Sequence, residues 1–339
     1  MWKERRILAA ALAVAALAAF ANALRCELFF DDQPLIVHNE YLRDWSRLGD
    51  IWTHGDLAGA LGEGDLYRPV VMTVFALEWR LWQDWAPGYH GVNVAVHAAD
   101  AVLLFFLLER LFGRRGAAFL AALAFAVHPV AAEAVTYASS LSDSLSLFFI
   151  LIALHCYVRG WIAAAWFLQI LALFSRESAV VLPFLVLLTA VFAERKPARA
   201  AIRACAPFAL IAACYVALRF TVLDFGHTTD LMSGGADIGR GAAAYARDWT
   251  VRLFTFLKVL GVYLKLLFYP RDLYLERSAG FEVPAGPWQP EVIAGALIAA
   301  GLLAVSALAS TRAPAVTFGV LWFFAALAPT SGIAIPING

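Results

Sequence analysis

Charged residues are scarce in this chain, at 15% of its 339 residues. A soluble domain carries about 25% charged residues, so the shortage excludes an ordinary soluble protein. Apolar and aromatic residues instead make up 62% of the chain, and its mean hydropathy is +0.72. The composition predicts an all-α polytopic membrane protein that is in contact with the lipid bilayer along most of its length.

A surplus of positive charge is also missing, because 26 basic and 26 acidic residues give a formal net charge of zero. Nucleic-acid-binding proteins leave a basic footprint, so no nucleic acid is expected as a partner. No GxxxxGK(S/T) motif occurs, which argues against a nucleotide-driven pump. The few cysteines show no metal-ligand spacing, and packing explains them best. They are Cys26, Cys156, Cys205 and Cys214.

Apolar runs of membrane length recur between short polar breaks. A bilayer core needs about 20 apolar residues of helix, and about ten runs approach or exceed that length. The first is interpreted as an uncleaved helix rather than a signal peptide, because it is long and an acidic pair follows at once. The segment from Leu145 to Ala193 is expected to hold tight hairpins or a broken helix. The runs are Ile7 to Leu24, Tyr89 to Phe112, Ala117 to Ala138, Leu145 to Val158, Trp161 to Phe174, Ala179 to Ala193, Ile202 to Phe220, Trp249 to Tyr269, Val292 to Ser310 and Ala315 to Ala328.

No tandem repeat or low-complexity linker divides the chain, so residues 1–339 are expected to form one transmembrane domain. The sequence stops in a polar stretch at Asn338-Gly339. Further spans or a soluble domain beyond this point stay open as alternatives.

Basic residues flank every second boundary as far as the sixth run, and such residues stay on the cytoplasmic side of short loops. The first loop, residues 25–88, and a second loop, residues 221–248, are therefore predicted to face outward. The turns from Ser139 to Asp143 and from Ser175 to Ser178 are predicted to face outward as well. The high Ala, Leu and Arg content suggests a GC-rich bacterium, hence an inner membrane with the outward side in the periplasm. The basic residues are Lys3, Arg5, Arg6, Arg110, Arg114, Arg115, Arg159, Arg195, Lys196, Arg199 and Arg203.

An acidic pair, Asp31-Asp32, opens the first loop at the lip of the bundle. Carboxylates are costly there unless they meet solvent, a cation or a substrate. Further along the loop, apolar residues recur at helical spacing between Leu66 and Trp85, which predicts an amphipathic helix lying at the membrane surface. Arg68 stands at its start, where contact with lipid phosphate is an alternative to a functional role.

The second run carries a polar stripe, because His90, Asn93, His97 and Asp100 follow one another at spacings of three, four and three. These residues share one helix face, which is expected to meet other helices or a wet cavity rather than lipid. Hydrogen bonding that fixes the bundle explains most of the stripe. His90, at the outer end, is the best placed to meet a substrate.

The third run contains His128-Pro129 and then Glu133, and a proline inside a span is expected to bend it. Asp143 follows at an outward turn, and Arg176-Glu177 occupies the break between the fifth and sixth runs. The predicted topology brings all these charged residues to one membrane surface. That convergence is stronger evidence for a site than any single residue.

Five motifs follow one another along the chain: FFDDQPLIVHN, LYRPVVMTVFALEW, PGYHGVNVAVHAADAVLLFFLLERLF, AFAVHPVAAEAV and LALFSRESAVVLP. In this order they resemble polytopic glycosyltransferases of the C superfamily. The similarity is greatest to the membrane part of the transmembrane O-mannosyltransferases that act on cadherins, and to their bacterial relatives, and it covers roughly residues 20–190. The resemblance implies a GT-C-like bundle that transfers a sugar, with mannose one candidate, from a polyprenyl-phosphate donor to a protein or glycan acceptor at the extracytoplasmic face.

The resemblance also implies the site residues. The family's acidic pair, its Tyr-Arg-Pro and its later motifs fall on matching residue types here. They are Asp31, Asp32, Tyr67, Arg68, Pro69, Tyr89, His90, Asn93, His97, His128, Pro129, Glu133, Asp143, Arg176 and Glu177. Two positions depart from the family, because Ser140-Leu141 stands where a Gly-Arg pair is common and Arg176 replaces a lysine. No tetratricopeptide segment is present, which leaves the acceptor undefined.

The chemistry assigns roles to these residues. An acceptor hydroxyl needs a base, for which Asp31 is the first choice and Asp32 the second. The leaving phosphate needs positive charge, which Arg68 and Arg176 supply with help from His90. One base and no required acid favour inversion at the anomeric carbon, unlike the two-carboxylate arrangement of glycosidases.

The remaining implied residues are expected to line the donor or acceptor site: Tyr67, Asn93, His97, His128, Glu133, Asp143 and Glu177. No cofactor is certain. A divalent cation is compatible with Asp31, Asp32, Glu133 and Asp143, although the spacing does not require one.

Two other functions stay open at this point. A flippase or transporter for a lipid-linked glycan also uses intramembrane ionisable residues, but the matching halves typical of transporters are not visible. A non-catalytic partner in envelope assembly is the second alternative. Sugar identity, acceptor and oligomeric state are left undetermined by the sequence.

Overall fold

Helices make up the computed structural model, which describes residues 2–61, 66–221, 245, 247–271, 273, 282–284 and 286–333. No strand occurs among these residues, so the all-α prediction is confirmed for them. The second predicted loop, residues 221–248, lies almost wholly outside the described residues. Backbone packing divides the chain into two compact units, Met1–Leu182 with Pro207–Leu218, and Pro183–Ala206 with Arg219–Gly339. Whether they act as one domain stays a prediction.

The α-helices are numbered here in chain order. They are α1 Trp2–Ala19, α2 Leu48–Ile51, α3 Ala58–Leu61, α4 Pro69–Trp82, α5 Ala86–Phe112, α6 Arg115–Val127, α7 Ala132–Thr136, α8 Leu141–Val158, α9 Ile162–Ser175, α10 Leu182–Leu188, α11 Ala198–Thr221, α12 Trp249–Phe268, α13 Pro290–Ala309 and α14 Pro314–Leu327. Short 3₁₀ and π turns connect several of them, including Glu177–Val181 between α9 and α10 and Thr189–Ala193 after α10.

Four helical segments in the described part are long and apolar enough to cross a membrane. They are Ala86–Phe112, Ala138–Val158, Ala198–Thr221 and Pro290–Ala309, and the bent pair Arg115–Val127 with Pro129–Thr136 is a fifth if its two helices form one span. A polytopic membrane protein is therefore supported, whereas the count of about ten spans is not confirmed. Several predicted spans correspond to shorter helices, such as α9 and α14.

Proline and short breaks interrupt the helices where the sequence predicts. The pair on either side of His128 is bent by 48°, because Pro129 lacks the N–H that would continue α6. The α8–α9 hairpin turns at Gly160, whose φ of 77° suits glycine. A second break, at residues 176–181, separates α9 from α10. Both the tight hairpin and the broken helix expected between Leu145 and Ala193 are present.

Helix α5 is the central element of the first unit and packs against α1, α6 and α8. Small side chains allow close approach, as in the buried cluster of Ala16, Ala98, Ala101 and Ala126. Polar side chains then tie neighbours together: His97 bonds the Ala126 carbonyl at 3.2 Å and His155 bonds the Leu103 carbonyl at 3.0 Å. The interpretation of His97 as a bundle-fixing residue fits this contact.

The first loop is packed rather than extended. Its short helices and α4 share a hydrophobic core that includes Ile36, Ile51, Val71 and Phe75 and continues into Leu141 at the start of α8. Burying each such side chain contributes roughly 1.5–3 kcal/mol, which is enough to hold the loop in one conformation. Helix α4 is shorter than predicted and buries one face on this core, while Leu77 and Leu81 stay exposed. Its position at a membrane surface stays a prediction.

The second unit contains α12, α13 and α14. Helices α12 and α13 approach so closely at Gly295 that a Cβ there would overlap the backbone of Leu257. Thr317 of α14 donates to the Ser306 carbonyl of α13 at 2.8 Å. These contacts stabilise a helical group that carries none of the predicted site residues.

Candidate active site

The acidic pair lies on a tight turn that follows the first helix. The Asp32 Oδ2 accepts a hydrogen bond from the Phe29 N–H at 3.2 Å, and the Asp32 N–H donates to the Phe29 carbonyl at 3.0 Å. Between them Phe30 has a left-handed φ of 51°, a conformation that costs a residue with a side chain about 1–2 kcal/mol. The turn separates the two carboxylates, because Asp31 is exposed whereas Asp32 is fully buried.

Both acidic residues are anchored to the segment Tyr137–Asp143, which we name the bridging segment. The Asp32 Oδ1 accepts from the Ser139 N–H at 2.7 Å, and the Asp31 N–H donates to the Tyr137 hydroxyl at 2.7 Å. Burial raises the pKa of Asp32, and the backbone hydrogen bonds oppose that rise. Asp32 thus has both oxygens engaged, whereas the Asp31 carboxylate accepts no hydrogen bond from the described residues.

Helix α5 holds the bridging segment from the other side. Asn93 donates from Nδ2 to the carbonyls of Tyr137 and Ala138, at 2.8 and 3.3 Å. His90, one turn earlier, is fully buried and close to Asp32. Within the described part of the chain, neither ring nitrogen of His90 makes a hydrogen bond of good geometry. Two predicted site residues, His90 and Asn93, therefore lie at the base of the acidic turn.

The far end of the bridging segment meets both arginines. Arg176 donates from Nη1 to Asp143 Oδ2 at 2.6 Å and to Ser142 Oγ at 3.0 Å. Arg68 donates from Nη1 to the same Ser142 oxygen at 3.5 Å, and it grips Glu177 through Nη2 at 2.9 Å and Nε at 3.3 Å. Two guanidinium groups from distant parts of the sequence converge on one buried hydroxyl. Each is also paired with a carboxylate.

The charges of this cluster shift the ionisation of its acids. Burial alone would raise the pKa of Glu177, but the charge and hydrogen bonds of Arg68 outweigh it and hold the pKa at about 2. Burial raises the pKa of Asp56 to about 6, against the opposing charge of Arg68. Asp56 reaches this position because its N–H bonds the Leu66 carbonyl at 2.9 Å, which folds the loop back toward Arg68. Arg68 itself stays protonated at any working pH.

The two arginines differ in the hydrogen bonds they have left to offer. A guanidinium has five N–H groups. Arg68 uses all three of its nitrogens on Glu177 and Ser142, whereas Arg176 uses only Nη1 on described residues. The side chain of Arg176 is also more accessible, at 25% against 14% for Arg68. Arg176 is thus the better placed to contact an incoming anion, and Arg68 is fixed in position.

The other predicted site residues divide into near and distant ones. Glu133 is exposed and feels the charges of Asp143 and Arg176, so it lies beside the arginine cluster. Tyr67 donates its hydroxyl to the Trp52 carbonyl at 2.7 Å and packs in the loop next to Arg68. His97 bonds a carbonyl of α6, and His128 accepts a hydrogen bond from the Val130 N–H. Their place in the donor or acceptor site stays a prediction.

The structure joins most of the predicted site through the bridging segment, with the acidic turn at one end and the arginine cluster at the other. His90 lies with the acidic turn and makes no contact with either arginine among the described residues. In the same part of the chain, no group of three His, Cys, Asp or Glu side chains has an arrangement suited to a metal ion.

Sequence reasoning missed two residues of the site. Ser142 is 1% exposed and is the meeting point of the arginines, and its place beside Asp143 was the only available signal. Asp56 is 5% exposed beside Arg68, and no pattern in the sequence distinguishes it from other loop acids. Both depend on how the first loop folds onto the bundle.

Comparison with known proteins finds similarity to protein O-mannosyl-transferases. The chain is 29% identical to human protein O-mannosyl-transferase TMTC4 over 196 residues, and this aligned region covers 49% of this chain and 26% of the human protein. It is 34% identical over 162 residues to mouse protein O-mannosyl-transferase TMTC2, covering 44% of this chain and 19% of that protein. A third relative is protein O-mannosyl-transferase F38B6.6 of Caenorhabditis elegans, 31% identical over 147 residues.

The chain therefore spans about a quarter or less of the length of these relatives. No protein-family model matches it. No solved structure matches it either.

Proposed function

We propose that this protein is an integral-membrane glycosyltransferase of the GT-C type that moves a sugar from a polyprenyl-phosphate donor to a hydroxyl group of a protein. The observation that carries the proposal is the convergence of Arg68 and Arg176 on Ser142, joined through the bridging segment to an exposed carboxylate. The similarity to protein O-mannosyl-transferases supports a sugar donor and a protein acceptor. A glycan acceptor and a sugar other than mannose are compatible with the same site.

Arg176 binds the donor phosphate directly in this mechanism. Its Nε and Nη2 groups form the planar fork that suits phosphate oxygens. Arg68, held by Glu177, adds a fixed positive charge beside it. Because the donor leaves as a phosphate, the cluster stabilises the developing charge and no acid needs to protonate the leaving oxygen.

Asp31 acts as the base. It takes the proton of the acceptor hydroxyl while the acceptor oxygen bonds to the anomeric carbon, and the bond from that carbon to the phosphate oxygen breaks with its electron pair leaving on the phosphate. A single displacement of this kind inverts the anomeric configuration. Asp32 positions Asp31 by closing the turn, since both of its oxygens accept backbone hydrogen bonds.

The test uses full-length protein reconstituted in vesicles with a radiolabelled polyprenyl-phosphate sugar. Transfer or hydrolysis of the sugar supports an enzyme. Movement of the donor between leaflets, with no transfer or hydrolysis, supports a flippase. The absence of all three activities supports an assembly partner. Asp31→Asn is expected to lose about 10²- to 10⁴-fold in transfer rate while retaining donor binding. Glu40→Gln, which changes another exposed acid of the same loop, is the control.

Arg176→Ala is expected to raise the KM for donor by about 10- to 100-fold, since hydrogen bonds to charged groups contribute roughly 1.5–3 kcal/mol. Arg80→Ala, on the exposed side of α4, is the matched control. Normal transfer by Asp31→Asn would remove it as the base, and an unchanged donor KM in Arg176→Ala would remove the phosphate site.

A further inference from the structure

The end of α5 opposite to the acidic turn collects the ends of four helices. Glu109 of α5 pairs with Arg5 of α1 at 3.1 Å and with Arg115 of α6 at 2.6 Å. Arg110 donates from Nη2 to the Val158 carbonyl, the last residue of α8, at 3.2 Å. Helix α5 has 27 residues and so places this end about 40 Å from its start near the proposed active site.

Positive charge is concentrated at this end. Seven basic residues lie on these four helix ends with only two acidic ones, Glu4 and Glu109, although the whole chain has no net charge. Both acids pair with Arg5 or Arg115. The basic residues are Lys3, Arg5, Arg6, Arg110, Arg114, Arg115 and Arg159.

Four of these arginines form a set that we name the arginine face: Arg6, Arg110, Arg114 and Arg159. All four are exposed, and none makes an ion pair with a carboxylate in the described part of the chain. Repulsion among them is unfavourable unless counter-charges are close by. The Arg110 guanidinium is partly balanced by its hydrogen bond to the carbonyl end of α8, but Arg159 follows directly at that end and adds a second positive charge.

Tryptophan rings lie beside two arginines of this face. The Arg6 guanidinium lies 5.4 Å from the Trp2 ring and the Arg159 guanidinium 5.6 Å from the Trp161 ring. Both rings are largely exposed, at 71% and 61%. Tryptophan prefers the headgroup level of a bilayer, so each cation–π pair holds its arginine at the level of lipid phosphates.

We propose that the arginine face binds the phosphate of anionic glycerophospholipids, with Arg110 and Arg159 as the main contact. Anionic headgroups supply the missing counter-charge, and the level of the tryptophan rings favours a membrane lipid over a soluble anion. Two adjacent guanidinium groups offer enough donors for one phosphate diester. The site is separate from the proposed active site and does not depend on its function.

The experiment measures lipid binding by native mass spectrometry and thermal unfolding of the full chain. Wild-type protein in phosphatidylcholine is titrated with phosphatidylglycerol, with and without 0.5 M salt. We expect preferential retention of phosphatidylglycerol and a rise in melting temperature that salt reduces. Arg110→Gln with Arg159→Gln is expected to bind phosphatidylglycerol about 30-fold more weakly, because each basic residue contributes a few-fold to tenfold.

Arg47→Gln with Arg80→Gln, two arginines of the first loop, is the matched control and should bind like wild type. If the double variant does not fold, the two single variants are each expected to show a smaller loss. Equal binding of phosphatidylglycerol and phosphatidylcholine by wild type would overturn the proposal. So would an equal rise in melting temperature with inorganic phosphate, which would indicate a soluble anion, or normal lipid binding by all the Arg110 and Arg159 variants.

Discussion

The small side chain of Ser142 connects the two arginines of the candidate site. Its hydroxyl oxygen accepts from Arg176 at 3.0 Å and from Arg68 at 3.5 Å, so a neutral group lies between the two cations. Without this hydroxyl, the two guanidinium groups lose their shared hydrogen-bond acceptor, and nothing from Ser142 then opposes their mutual repulsion. We therefore regard Ser142 as a positioning residue that keeps both cations close enough for one phosphate.

Replacing Ser142 with Ala should raise the KM for donor by about 5- to 20-fold with a smaller change in kcat, since the hydrogen bonds from the two charged guanidinium groups that position the arginines contribute roughly 1–2 kcal/mol. Steady-state kinetics with varied donor concentration measures the changes in KM and kcat separately. Ser144→Ala is the control, because that buried hydroxyl bonds only within its own helix, to the Leu141 carbonyl. A loss confined to kcat would contradict the positioning role.

Asp56 predicts a pH dependence of stability. Its pKa rises from 3.8 to about 6 on burial, so the folded protein holds this proton more tightly than the unfolded chain. Stability from the neutral carboxyl is fully present below about pH 4 and is lost as the pH rises through about 6, a loss on the order of 3 kcal/mol. Asp56→Asn removes this dependence.

Thermal unfolding in detergent from pH 4 to pH 8 checks this dependence. The Asp56→Asn protein should gain melting temperature over wild type as the pH increases. Glu177, whose pKa falls from 4.5 to about 2, contributes stability that declines as the pH drops below about 4.5, and this contribution is the same in both proteins and cancels from the comparison. The Glu40→Gln control should follow wild type, and parallel curves for wild type and Asp56→Asn would contradict the burial argument.

The sequence named candidate site residues but not their individual surroundings, and their role as a catalytic site stays a prediction. The predicted topology and the family resemblance both grouped the charged residues, and the structure pairs Arg68 with Glu177 and Arg176 with Asp143. The difference between exposed Asp31 and buried Asp32 depends on the left-handed backbone of Phe30. A preference of one residue for that conformation is not visible in side-chain patterns, so the sequence did not separate the two acids.

At the level of helices and turns, prediction succeeded where a backbone rule applies. Pro129 bends its span because it lacks an N–H, and the hairpin after α8 turns at a glycine. The packing of the first loop was harder to predict from the sequence, because its core combines residues that are far apart in the chain, such as Ile36 and Leu141. A helix was predicted between Leu66 and Trp85 and α4 covers Pro69–Trp82, but its buried face, which includes Glu78, was not recognised.

Close approach of α12 and α13 gives a prediction at this scale. Gly295→Ala would place a methyl group against the backbone of Leu257, and neither backbone is free to move aside. Overpacking of this kind costs about 1–3 kcal/mol, which outweighs the usual gain from replacing a helical glycine. Gly301→Ala, on the same helix with open space around it, should be neutral or slightly stabilising. Equal melting temperatures for the two variants would argue against the close contact.

Across the whole chain, charge is divided between two ends of α5. The start of α5 lies with the acidic turn and its end with the arginine face. Basic residues are retained on the cytoplasmic side, so this division predicts that the proposed active site faces outward. This orientation would require donor lipids and acceptors on that side, and it would place the arginine face at the inner leaflet.

Cysteine labelling in intact cells tests this orientation. In a background with Cys156, Cys205 and Cys214 replaced by Ser, exposed Cys26 reports the side of the acidic turn. Gly116→Cys at the start of α6, in a protein that also has Cys26 replaced by Ser, reports the opposite end, because a side chain meets open space there and no arginine is removed. A membrane-impermeant maleimide should label Cys26 directly and Gly116→Cys only after permeabilisation. The reverse pattern would place the arginine cluster in the cytoplasm, where an extracytoplasmic donor and acceptor cannot reach it.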